Sequence, residues 1–68
     1  MTMLTNNIQS IRKSQHYKQQ DLADYLGVTR KTVYRLETGD AEPTLSMAWA
    51  IAKFLGKNLE DVFRTVEV

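Results

Sequence analysis

Residues 19–37 read QQDLADYLGVTRKTVYRLE. Leu22, Ala23 and Leu26 recur at i, i+1 and i+4, a narrow apolar stripe suited to a helix of about two turns, and Val33 and Leu36 stand three apart beyond Gly27. The spacing predicts two short helices joined by a tight turn at Gly27. Thr29 is a good cap for the second helix, and Val28 before it is spaced to pack on Val33 as a hydrophobic staple. With Val33, Leu36 and Glu37 facing inward, the helical step of about 100° per residue gathers Arg30, Lys31, Tyr34 and Arg35 on the opposite face. Three cations and a phenol then share one exposed surface.

The chain around this stretch has 68 residues and no cysteine. One small domain over residues 1–68 is expected, near the lower limit at which an unaided core holds a chain folded. Neither a disulfide nor a thiolate metal site can stabilise it, so helix packing has to, with or without a second subunit. No apolar run is long enough to span a bilayer, and the amino terminus lacks the basic-then-apolar pattern of a leader, so a soluble, cytoplasmic protein is expected, with no membrane partner. The net charge of +1 says little, but its distribution is uneven. Residues 12–35 sum to +4 and the remainder to −3, so one half can face a polyanion.

Taken in order, the chain predicts a first helix over 5–13, capped by Thr5 or Asn6, with Leu4, Ile8 and Ile11 on its inner side and Arg12 and Lys13 at the negative end of its dipole. A polar connection leads to the second helix, over 18–26, with Asp21 in its first turn and Gly27 as its left-handed terminator. The third helix, over 29–37, is followed by a loop holding Gly39 and Pro43, the only proline. Thr44 caps a fourth helix over 44–55, whose stripe is Leu45, Ala48, Ile51, Ala52 and Leu55 and whose terminator is Gly56. A short fifth helix over 58–63, capped by Asn58 with Asp61 at N3, has Leu59, Val62 and Phe63 on its apolar edge. Residues 65–68 alternate like a short strand, for which residues 1–4 are the one extended partner in the sequence. The fold class is all-α, with five helices and room for a two-stranded ribbon from the termini.

Catalysis finds little support. The single histidine, His16, lies in a polar connection, and no glycine-rich phosphate loop, HExxH or acidic calcium loop occurs. Asp21 with Asp24, and Glu60 with Asp61, read as first-turn helix charges rather than as catalytic pairs. No cofactor, metal or small-molecule ligand is expected. Nucleic-acid binding is better supported, because a helix, a turn and a helix of these lengths can set the second helix into a major groove about 12 Å wide. Arg30 and Arg35 would present two-pronged donors to guanine, Lys31 a more flexible one, and Tyr34 a contact to a thymine methyl or a phosphate. On periodicity and charge alone, a plain solvated helix face explains these residues equally well.

Residues 19–37, followed by Thr38-Gly39 and Pro43-Thr44-Leu45, resemble the phage repressor and Cro type of helix-turn-helix domain, the xenobiotic-response-element family. The resemblance covers about residues 6–63, including Asn7-Ile8, Ile11-Arg12, Ile51-Ala52 and the segment from Leu59 to Phe63, and is nearest to small members with little beyond the DNA-binding domain. It implies a sequence-specific regulator of transcription, a repressor in the leading reading, that binds double-stranded DNA. Arg30, Lys31, Thr32 and Arg35 occupy the family's base-reading positions, with Tyr34 nearby. Gln19 matches a glutamine that holds a phosphate and braces the recognition helix, and Arg12 and Glu37 match an ion pair between the first and third helices.

Two departures from the family pattern stand out. Lys18 occupies a position where many relatives have a Ser or Thr cap, exchanging a cap for a cation near the expected phosphate. The loop after the third helix carries Asp40 and Glu42 where a basic residue is common, which leaves backbone amides around Thr38 and Gly39 as its phosphate donors. Salt dependence should then come mainly from Lys13, Lys18 and the cations of the third helix.

Family members usually dock as two-fold dimers on half-sites roughly 34 Å apart. Trp49, Phe54, Leu59, Val62, Phe63 and Val66 exceed what the fourth helix needs for its inner stripe. A homodimer interface is therefore expected at Trp49, Phe54, Leu59, Val62 and Val66, with Phe63 in the core. An antitoxin or protein-interaction module on the same fold is the alternative function, against which a chain ending at residue 68 without a toxin-binding extension weighs.

Overall fold

A computed structural model of the chain describes residues 2–67. Five helices, α1 (Ile8–Ser14), α2 (Gln19–Leu26), α3 (Arg30–Thr38), α4 (Leu45–Leu55) and α5 (Leu59–Val62), lie between two strands, β1 (Thr2–Asn6) and β2 (Phe63–Glu67). The strands form one antiparallel ribbon within the chain, with Thr2 opposite Glu67 and Asn6 opposite Phe63. The expected pairing of the termini is thus present; its outermost positions, Met1 and Val68, lie outside the described residues.

Capping chemistry sets most boundaries. Thr29 Oγ1 accepts the N–H of Thr32 at 3.2 Å, and Thr44 Oγ1 accepts that of Met47 at 3.2 Å. Lys18 has no acceptor to offer α2, but the Asp21 carboxylate accepts the Lys18 N–H at 2.8 Å, closing the same turn from the other side. Asn58 likewise donates its N–H to Asp61, at 3.3 Å, without a side-chain cap of its own. Gly27, at φ 71°, ends α2 in the left-handed region, where a Cβ is unfavourable.

The core joins Ile8 of α1, Leu22 and Ala23 of α2, Val33 and Leu36 of α3, Ala48, Ile51, Ala52 and Leu55 of α4, Val62 of α5 and Phe63 of β2. Three expectations need correction. The first helix starts at Ile8, because ribbon pairing keeps the backbone extended through Asn6. Asn6 Oδ1 then accepts the Ile8 N–H at 3.1 Å while its Nδ2 donates to Leu36 O at 2.9 Å, tying the ribbon to α3. Leu4 consequently sits on the ribbon, 38% exposed, rather than on a helix stripe. Leu45 has the right period but is 75% exposed, since α4 meets the core only from Met47 onward. The fifth helix stops at Val62, where Phe63 turns extended and enters the core as the first residue of β2.

Candidate nucleic-acid interface

The α2–α3 unit presents the face expected of it. Val33 and Leu36 are buried, Ala23 accepts the Val28 N–H at 3.0 Å across the turn, and Arg30, Lys31, Tyr34 and Arg35 are all exposed along the outer side of α3. Thr32 differs from these four. It is half-buried, with its hydroxyl 3.0 Å from that of Thr29, so its side chain turns back toward the helix cap.

Beneath that face runs a polar chain that fixes α3 to the rest of the domain. Arg12 Nε donates to Glu37 Oε2 at 2.6 Å and Nη2 to Glu37 Oε1 at 3.2 Å, with both side chains nearly sealed from solvent at 6% and 2% exposure. Arg12 Nη1 donates to the Tyr17 carbonyl at 2.7 Å, an acceptor that only the folded connection can supply. Gln19 Nε2 donates to Glu37 Oε1 at 2.9 Å, and Gln19 Oε1 accepts from Arg30 Nη1 at 3.4 Å. The chain therefore runs from α1 through Glu37 and Gln19 to a surface cation of α3. A fork-to-carboxylate pair whose remaining acceptors and donors are satisfied is the arrangement in which burying two charges is tolerable.

Both ends of the Gln19 side chain are used in this bracing, which leaves the backbone to meet an anion. The first-turn N–H groups of α2, from Gln19 and Gln20, have no partner within the helix and lie at its positive end. Lys13 and Lys18 are exposed beside them, and with Gln9, Gln20 and Arg30 they line a shallow open concavity between α1 and α2. Gln9 carries no sequence signal of its own; only the fold brings it there. The other expected phosphate donors fare differently. The Gly39 N–H already donates to Leu36 O at 3.3 Å, Thr38 belongs to the helix ladder, and its hydroxyl donates to Arg35 O at 3.1 Å. A helix carboxyl end presents carbonyls rather than amides, so the expectation of backbone phosphate donors at Thr38 and Gly39 is corrected.

The expected interface residues also divide. Trp49 and Val66 are 62% and 43% exposed, and Leu59 is partly buried against the core. Phe54 packs between Tyr17 and Tyr25, with ring centroids 4.6 and 5.0 Å away. Val62 is fully buried inside its own chain, so the expectation of an intersubunit contact is corrected: it is a core residue, packed with the side chains of the other helices.

The family described as helix-turn-helix matches residues 8–62, from the first residue of α1 to the last of α5. The chain belongs to the phage repressor and Cro type of helix-turn-helix protein. Among relatives of this type, an uncharacterized HTH-type transcriptional regulator of Methanocaldococcus jannaschii is 40% identical over 60 residues, covering 88% of this chain and 91% of the relative. The uncharacterized HTH-type transcriptional regulator YgzD of Bacillus subtilis is 38% identical with the same coverage. The helix-turn-helix fold is shared by a crystal structure of a candidate DNA-binding protein from Bacteroides fragilis, with a TM-score of 0.84 at 21% identity, covering 91% of this chain and all of that one. No helix among the described residues is long and apolar enough to cross a membrane.

Proposed function

We propose that this protein regulates transcription by binding double-stranded DNA, with α3 in the major groove and Arg30, Lys31, Tyr34 and Arg35 facing base edges. The observation that carries this reading is the contrast within α3: one side is locked into the core and, through Glu37, to Arg12 of α1, while the other bears three exposed cations and no apolar packing. A merely solvated helix face has no need of a buried polar chain that ends on one of its own cations, Arg30. Thr32, turned toward the cap, contributes through its methyl group at most. Lys13, Lys18 and the N–H groups of Gln19 and Gln20 anchor a phosphate beside the groove, where cations and a helix amino terminus act together. The relatives in two domains of life are described as transcriptional regulators, which supports the same reading.

We further propose that two copies bind together on a palindromic operator and act as a repressor by occluding a promoter. A single domain this small covers too little DNA for tight binding, and Trp49, Leu59 and Val66 offer apolar surface outside the groove-facing side. The test is a gel shift against a pool of random duplexes followed by selection. Recovery of a shared motif with two-fold symmetry is expected; binding without any sequence preference would overturn the base-reading role.

A further inference from the structure

The three cations of α3 stand in unequal surroundings. Lys31 meets no partner among the described residues, Arg30 shares Gln19 Oε1, and Arg35 Nε lies 3.8 Å from Asp40 Oδ2. Backbone bonds hold Asp40 there. Its N–H donates to Arg35 O at 2.9 Å, the Ala41 N–H donates to the same oxygen at 3.1 Å, and Gly39 at φ 85° makes the reversal that allows both. The carboxylate is thus folded back onto the helix that precedes it, rather than carried on a swinging loop. Both side chains remain open to solvent, at 52% and 76% exposure, so the contact is weak enough to be exchanged.

We propose that Asp40 is a specificity-determining residue, an intramolecular competitor that withholds Arg35 from DNA phosphates and releases it to a guanine edge. The inference rests on the reading of α3 as the base-reading helix. A phosphate offers Arg35 one oxyanion in place of another and is itself repelled by the Asp40 carboxylate. A guanine offers two neutral acceptors, O6 and N7, matched to the guanidinium fork, and meets no such repulsion of like charges. Binding to unrelated DNA is made almost wholly of phosphate contacts, so the clasp subtracts from it more than from binding to the operator.

The test compares wild type, Asp40→Asn, Arg35→Ala and the double variant on a duplex selected by the wild-type protein and on an unrelated duplex of equal length. Asp40→Asn is expected to bind the unrelated duplex about two- to five-fold tighter, the scale of one exposed ion pair, with a salt slope steeper by up to about 0.9. Its affinity for the selected duplex changes by less than about two-fold, so the specificity ratio falls. Arg35→Ala alone leaves the unrelated duplex almost unaffected yet abolishes most of the gain of Asp40→Asn in the double variant, the remainder being the repulsion between Asp40 and phosphate itself. Equal tightening on both duplexes, or a gain that survives Arg35→Ala undiminished, overturns the inference while leaving the DNA-binding reading intact. A wild-type protein that selects no duplex from the random pool overturns both.

Discussion

Replacing Glu37 by alanine removes every side-chain acceptor that Arg12 has in α3 and leaves its guanidinium, 6% exposed, with the Tyr17 carbonyl alone. Gln19 loses its acceptor in the same step. Breaking a buried pair from one side costs on the order of 3 to 5 kcal/mol, because the surviving charge stays desolvated. A domain of this length has a total stability of roughly 3 to 10 kcal/mol, so the loss takes a third of it at the least and all of it at the worst. At about 4 to 8 °C per kcal/mol for a domain of this size, the melting temperature falls by at least about 12 °C. Thermal unfolding followed by circular dichroism reads the effect, and the fraction that remains folded keeps most of its DNA preference, since Glu37 reaches the outer face of α3 only through Gln19 and Arg30. The double variant Arg12→Met, Glu37→Leu removes both charges and regains most of the loss. An Glu37→Ala protein with wild-type melting and an altered DNA preference would refute this reasoning, as would a double variant no more stable than the single one.

Two further predictions concern the backbone and the apolar surface. His16 sits at φ 62°, a left-handed position after α1 where its N–H donates to Lys13 O, so His16→Gly should stabilise the domain by about 0.5 to 1 kcal/mol in denaturant unfolding; an unchanged or lower midpoint contradicts it. Trp49→Ser should leave melting at low protein concentration within about 0.5 kcal/mol of wild type, as expected for an exposed side chain, and should weaken self-association in sedimentation equilibrium; a wild-type mass that stays monomeric up to high micromolar protein counts against the dimer.

The reach of the sequence differs from element to element, for physical reasons. The inward stripe of α3 was legible because Val33 and Leu36 leave only one side of a short helix to bury, and the cations follow on the other. The Arg12–Glu37 pair came from the family resemblance; no local pattern links residues 25 apart. Leu45 obeys the helical period, but periodicity gives an angle around α4 and not how far along its axis the core extends. The start of α1 differs from expectation because Thr5 and Asn6 are good caps wherever they stand, while the choice between cap and strand is made by β2 at the far end of the chain. Val62 is expected on the apolar edge of the fifth helix and also at the interface, because periodicity finds an apolar edge but not whether that edge meets its own core or a partner. Gln9 and Asp40 gain their places near the candidate site only through packing and a turn, and neither carries a motif.

The role proposed for the outer face of α3 is to read DNA sequence. Its most direct test is the affinity of an Arg30→Ala, Arg35→Ala protein for the duplex selected by wild type, with folding checked by its melting curve. Each well-placed arginine fork is worth about 1 to 3 kcal/mol of discrimination, so a normally folded double variant should bind the selected duplex at least about 30-fold more weakly and lose its preference over unrelated DNA. Wild-type affinity and preference in that variant would contradict the claim.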